Sequence, residues 1–135
     1  LEKYDDKEEI WEHLNSILGR DDIAPLFGPN SRAEVPIAGL IGKIPFTAVI
    51  DRLLVLEDEV WVVDYKTNRA VPNQISDIPN IYLKQLAFYK TALESIFSNK
   101  KIKTFLLWTE GPKWMEIPDV VIQKHTSQRM SPEDS

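Results

Sequence analysis

The amino-acid sequence predicts an α/β domain, a mixed central sheet flanked by helices in the order α-β-β-β-α-β. Three observations predict it: an amphipathic helical stripe near the start, three consecutive strand-like runs separated by turn residues, and a long helical segment between the third run and a fourth. Consecutive strands joined by short turns pair antiparallel, whereas a strand reached across a helix can pair parallel, so both kinds of pairing are expected in one sheet.

From about Asp6 to Leu18, the residues Ile10, Trp11, Leu14, Ile17 and Leu18 fall on one helical stripe. Asp5 or Asp6 suits the N-cap and Gly19 the stop. A turn-rich link, Pro25-Leu26-Phe27-Gly28-Pro29-Asn30-Ser31, leads into a first strand over Ala33 to Leu40. The second strand is expected over Phe46 to Leu56 and the third over Val60 to Thr67, with Gly42 and the Glu57-Asp58 pair marking the turns. A polar, proline-punctuated loop from Asn68 to Pro79 opens into a helix of about Asn80 to Phe97, with Asn80 as its cap and Leu86, Ala87, Leu93, Ile96 and Phe97 offered to the core. After a lysine-rich turn comes a strand over Ile102 to Thr109, and Trp114 to Ile117 can pair back on it across Gly111-Pro112. The apolar pattern lapses from Asp119, so residues 1–118 are expected to form the domain and residues 119–135 a disordered tail. No internal repeat interrupts this order.

Composition narrows the class. At 135 residues, 43% hydrophobic and 27% charged, the chain supports one soluble core. It has no cysteine, which excludes disulfides, thiolate-held zinc and iron–sulfur clusters and suits a reducing cytoplasm. No run approaches the roughly 20 apolar residues that span a bilayer, and the start is not a signal peptide, so no membrane association is expected. Opening on Leu1-Glu2-Lys3 rather than a methionine, the chain reads as a piece of a longer protein. The net charge of −5 argues against a protein that coats nucleic acid through clustered Lys and Arg. It leaves room for an acidic site to which nucleic acid is delivered by neighbouring domains.

The chemistry lies in the second and third strands. If they turn at Glu57-Asp58, Leu56 faces Glu59, and counting back along both strands places Asp51 opposite Asp64. Directly opposed residues hold their β-carbons about 4.5–5.5 Å apart, so the two carboxylates repel unless a cation sits between them. Mg²⁺, which favours one or two carboxylates together with waters and phosphate oxygens, is the natural occupant. Residues two apart on a strand share a face, so Asp64 projects with Lys66 while Trp61, Val63 and Tyr65 point to the other side. Lys66 is placed to position or deprotonate a water and to neutralise growing negative charge. An Asp-x-Lys on a strand is most often a solvated face. Against that stand the opposed Asp51 and the flanking Leu53-Leu54-Val55 and Val60-Trp61-Val62-Val63, which make this a costly place for idle charge. Gln85 and Tyr89, four apart, share a helix face with Tyr82 one turn earlier. They read as half-buried packing residues, the commoner case for aromatics on a core helix, or as groups reaching into the site, and spacing does not choose.

These residues resemble a known family. Ser31-Arg32-Ala33-Glu34-Val35-Pro36-Ile37, Ile50-Asp51-Arg52-Leu53, Val63-Asp64-Tyr65-Lys66-Thr67-Asn68-Arg69 and Gln85-Leu86-x-x-Tyr89 are together similar to the RecB-type nuclease branch of the PD-(D/E)xK superfamily, with its restriction-endonuclease-like core. Leu107-Trp108-Thr109-Glu110-Gly111-Pro112 resembles the AddA subunits of helicase–nucleases that repair double-strand breaks. The likeness runs from about Ile23 to Ile117. It implies a Mg²⁺- or Mn²⁺-dependent deoxyribonuclease of exonuclease type in which Asp51, Asp64 and the Tyr65 carbonyl hold the metal and Lys66 is the catalytic lysine. Glu34 matches the family's first-strand glutamate, a metal or supporting residue. Gln85 and Tyr89 form an additional motif near the site, and Arg52 is a DNA-binding or supporting residue.

The implied partners are DNA, as single strands from unwound duplex ends, an AddB-type subunit, and the helicase portion of the same polypeptide. ATP would serve only that motor, and the implied location is the bacterial cytoplasm. Two departures stand out. Family members often read Gly-Arg-Ile-Asp where this chain reads Ala48-Val49-Ile50-Asp51, which removes an arginine. The histidine that usually completes the metal site sits in a Gly-x-x-x-His pattern that neither His13 nor His125 matches, so it is expected upstream of Leu1. Two other functions compete: a non-catalytic nuclease fold that grips DNA or docks a subunit, which the intact Asp51, Asp64 and Lys66 disfavour, and a hydrolase of small phosphoesters, for which no phosphate-cradling glycine loop is visible.

Overall fold

A computed structural model describes residue 26, residues 28–41 and residues 43–129; the helix predicted over residues 6–18, His13 and Gly42 lie outside these. The described elements are β1 (Ser31–Ile41), β2 (Ile44–Val55), β3 (Glu59–Lys66), a single 3₁₀ turn (Ile75–Asp77), α1 (Asn80–Ile96), β4 (Lys101–Trp108), β5 (Lys113–Ile117) and α2 (Asp119–Arg129). One five-stranded sheet has the order β1-β2-β3-β4-β5. All neighbours pair antiparallel except β3 and β4, which run parallel across the α1 crossover. The expected mixed sheet is therefore present, and the Trp114–Ile117 extension is a true fifth strand.

The central position of β3 and β4 follows from their sequences. Val60, Val62, Ile102 and Leu106 bury one face under α1, where Leu83, Leu86, Ala87 and Leu93 recur at helical spacing. Val63, Phe105 and Leu107 bury the other face with Leu26 and Leu54. There the Phe105 ring lies between Trp61 and Trp114, with centroids 4.9 Å and 4.7 Å away. Strands covered on both sides lose the apolar–polar alternation of a half-exposed strand, which is why these two read as near-continuous hydrophobic runs. Helix α1 begins one residue earlier than its expected cap: Pro79 is the N-cap and Asn80 already helical, because the Pro79 carbonyl takes the Tyr82 N–H at 3.0 Å.

The end of the chain departs from expectation. Residues 119–129 are helix α2 rather than tail, packed on α1. The Pro118 carbonyl accepts from Val121 N at 3.0 Å and Ile122 N at 3.3 Å, which starts the helix. Asp119 stands in the first turn, where the helix dipole favours a carboxylate, and lies 3.9 Å from Lys90. Among the side chains described, Val121 packs against the core, Ile122 is fully buried and His125, three residues on, nearly so. The apolar residues Val120, Val121 and Ile122 are bunched at the start rather than spaced at helical period, so they are not read as a helical stripe. Ile122→Ala is expected to lower stability by about 2–4 kcal/mol, the scale for truncating a buried isoleucine, measured by urea denaturation. A variant as stable as the wild type would return this segment to a tail.

Candidate active site

The β2–β3 turn closes as expected, with Leu56 N donating to Glu59 O at 2.8 Å. From there the register runs Val55↔Val60, Leu54↔Trp61, Leu53↔Val62 and Arg52↔Val63. The next step brings Asp51 to the position opposite Asp64, but there the ladder stops. The Tyr65 N–H, which a continuing ladder would bond to β2 backbone, instead donates to Asp51 Oδ2 at 2.7 Å. A side chain has taken over from the sheet, and beyond this point β2 and β3 part.

The same position is disturbed on the other side of β2. The β1–β2 pairs Ala33↔Arg52 and Val35↔Ile50 flank a missing Glu34–Asp51 pair, and Glu34 has φ of 53°, in the left-handed region. A glutamate held there is strained by about 1 kcal/mol or more, and such strain gathers at functional sites. Side-chain alternation slips at this point. Phe46, Ala48 and Ile50 pack toward α1, and so do Leu53 and Val55. Two successive residues, Ile50 and Asp51, thus face the α1 side; the register on either side is kept, so no residue is inserted, and the break in alternation is shared by Glu34 and Asp51.

On β3, Asp64 and Lys66 project to that same side, as expected, while Trp61, Val63 and Tyr65 join the opposite cluster. Lys66 Nζ lies 2.6 Å from Asp64 Oδ2 and donates to Gln85 Oε1 at 2.9 Å. Gln85 Nε2 in turn donates to Tyr89 Oη at 2.9 Å. The helix face carrying Gln85 and Tyr89 is therefore turned into the site. The Tyr82 ring caps the assembly, its centroid 4.1 Å from Lys66 Nζ, and its hydroxyl accepts from Asn68 Nδ2 at 2.8 Å. An ammonium over a ring face is held by the ring quadrupole, so Lys66 has an acid, an amide and an aromatic fixing its position.

Electrostatics mark the carboxylates. Asp64 is 4% exposed, and burial, opposed by Lys66 but reinforced by the Asp51 carboxylate, raises its pKa to about 6. Burial together with the charges of Asp64 and Asp51 pushes the Tyr89 hydroxyl up to about 12, partly offset by Gln85, so it remains a neutral phenol. Asp64 Oδ2 is buried and has no aligned hydrogen bond, although the Lys66 ammonium is near. Two interacting carboxylates, one of them buried, suit a hard divalent cation. The donor set extends to the backbone: on a strand the N–H and C=O of one residue point the same way, so the Tyr65 carbonyl faces the gap that Asp51 occupies. Among the described residues no third His, Asp or Glu joins this pair. Two carboxylates and a carbonyl fit Mg²⁺ or Mn²⁺, which keep several waters, better than a closed zinc cage.

The family comparison agrees with this geometry. The model of the PD-(D/E)XK nuclease superfamily matches residues 7–130. The chain belongs to the PD-(D/E)XK nuclease superfamily. Among solved structures, a candidate exonuclease from Eubacterium rectale is similar in fold, with TM-score 0.59 and 15% identity over 93% of this chain and 50% of that one. The chain thus spans about half the length of that protein. The crystal structure of SSO0001 is also similar, with TM-score 0.45 and 14% identity over 87% of this chain and 68% of that one. No curated protein matches the chain.

Not every expected residue of the superfamily pattern comes to the site. Arg52 points to the opposite face, where it donates from Nε to Tyr65 Oη at 3.2 Å and from Nη1 to Ser31 Oγ at 2.9 Å and the Leu26 carbonyl at 3.5 Å. Strand alternation from Asp51 sends it there, and it braces β1 and β3 rather than facing the cleft. Glu34 occupies the register position of Asp51 but is exposed and makes no hydrogen bond or ion pair among the described residues. Its distinction is its backbone conformation. His125 is buried on α2, within a helix that packs on α1. Conversely, Asn68 and the ring contact of Tyr82 were missed. Asp64, Lys66 and Asn68 continue one period-two series, and that spacing was the available signal for Asn68.

Proposed function

We propose that this domain is a divalent-cation-dependent DNA nuclease of exonuclease type, the nuclease portion of an AddA-type helicase–nuclease. The observation that carries the reading is the convergence of Asp51, Asp64 and Lys66 where the β2–β3 ladder stops, with two carboxylates set side by side and one of them buried. The Leu107-to-Pro112 run and the likeness in fold to a candidate exonuclease support the narrower assignment. The associated partners are single strands from unwound ends, the motor segment of the same polypeptide and an AddB-type subunit in the bacterial cytoplasm.

Asp51, Asp64 and the Tyr65 carbonyl would hold Mg²⁺ or Mn²⁺, which when bound supplies Lewis acidity toward the phosphodiester. Lys66 lies where a phosphate oxygen and an attacking water must meet the carboxylates. Its ammonium offsets charge that builds on the phosphoryl oxygens as the P–O bond breaks. Gln85 fixes the direction of that ammonium by accepting one of its protons, and Tyr89 fixes the Gln85 amide. Held in this way, Lys66 needs little rearrangement as charge develops.

The test is cleavage of end-labelled single-stranded DNA with and without Mg²⁺ or Mn²⁺. Cutting is expected only with a cation, abolished by EDTA and restored by excess metal. Cutting that persists in EDTA, or none by either this chain or the longer polypeptide, would overturn the assignment.

A further inference from the structure

Beside Lys66 lies a groove of about 620 Å³ between β2 and α1. Phe46, Tyr82 and Phe88 wall it, Lys66 and Gln85 stand at its inner end, and the exposed Ile81 and Lys84 form its rim. The Phe46 and Phe88 rings touch at 4.8 Å between centroids and tilt by 42°, a continuous aromatic wall from strand to helix. Phe46 holds this place because its β1 partner is Gly39, where even a Cβ would come within 2.9 Å of the ring. An aromatic slot of this size, open to solvent and sharing its inner end with the phosphate-facing lysine, is unlike ordinary core packing.

We infer that this groove is a nucleobase subsite, which receives one unpaired base of the strand whose phosphate lies at Lys66. The inference rests on the nuclease reading and adds to it a means of telling single strands from duplex. Every base presents a π-face, so stacking on Phe46, Phe88 or Tyr82 tolerates any sequence. The slot is bounded by strand on one side and helix on the other, so a base enters only after leaving its own stack and partner. A free strand has little to give up. A paired one must first be opened, and the duplex is disfavoured. Lys84 at the rim suits the neighbouring phosphate, whose contact carries no sequence information.

The experiment steps a single abasic residue through a short single-stranded oligonucleotide and maps cutting in Mn²⁺ by wild type and by Phe88→Ala. In the wild type, the phosphate at one fixed offset from the abasic residue should be cut about tenfold less well, through a raised KM, with other phosphates unaffected. Phe88→Ala should cut the normal strand more slowly and lose this positional sensitivity. If that variant does not fold, the abasic series on the wild type decides alone. Uniform cutting wherever the abasic residue stands would overturn the subsite and leave the nuclease reading intact. Absence of cation-dependent cutting on every strand would remove both.

Discussion

Asp64→Asn is expected to abolish DNA cleavage, by about 10³-fold or more, and yet to make the metal-free domain more stable at pH 8. Both effects come from one feature: a carboxylate buried beside another carboxylate. Its pKa of about 6 in the fold, against an ordinary 3.8, means that the folded protein binds this proton more tightly than the unfolded chain does. The resulting stability is fully present below the ordinary value and is lost as pH rises through about 6. At pH 8 the native state therefore carries an ionised Asp64 at a penalty on the order of 3 kcal/mol. Asparagine keeps the shape and can still accept from Lys66 without the charge. A gain of roughly 1–2 kcal/mol, seen as a Tm several degrees higher in EDTA, should shrink toward pH 5. Added Mn²⁺ should raise the Tm of the wild type and not of the variant. Loss of stability at pH 8, or retained cleavage, would contradict the role given to this residue.

The facing aspartates were legible because they depend only on local rules: a short reversal, a period of two, and a count back from Leu56 and Glu59. The Gln85–Tyr89 face was legible from helix spacing, though not its direction, which depends on where the α1 crossover lands on the sheet. What local rules do not supply is the interruption at Asp51. That interruption coincides with a left-handed backbone at Glu34, seventeen positions away on another strand. Arg52 follows the local rule: with Asp51 turned to the Asp64 face, alternation sends the next side chain to the far face, where it supports β1 and β3. The aromatic groove was hidden because Phe46 and Phe88 meet only after β2 and α1 have packed. Helix α2 was hidden because its apolar residues, Val120 to Ile122, are consecutive rather than at helical spacing.

Lys66→Met is expected to separate catalysis from metal binding: cleavage falls by about 10²–10³-fold, while Mn²⁺ binds several-fold more tightly at pH 8.5. The ammonium stands 2.6 Å from Asp64 Oδ2, the oxygen a cation needs, so metal and lysine contend for one carboxylate. Two unit charges of like sign about 4 Å apart repel by roughly 4 kcal/mol at an effective dielectric constant of 20. Solvent in the open cleft and the higher proton affinity of an unpaired Asp64 reduce this to about 1 kcal/mol of net gain for the metal. The high pH matters. Lys66 is what lowers the Asp64 pKa, so without it that carboxyl moves further up and protons compete more strongly below neutrality. Arginine should not rescue cleavage, because its planar fork does not fit the position shared by Asp64, Gln85 Oε1 and the Tyr82 ring. Calorimetry with Mn²⁺ beside single-turnover cleavage reads both quantities. If metal affinity falls together with rate, Lys66 holds the site together, and its assignment to the developing charge on the phosphate is wrong.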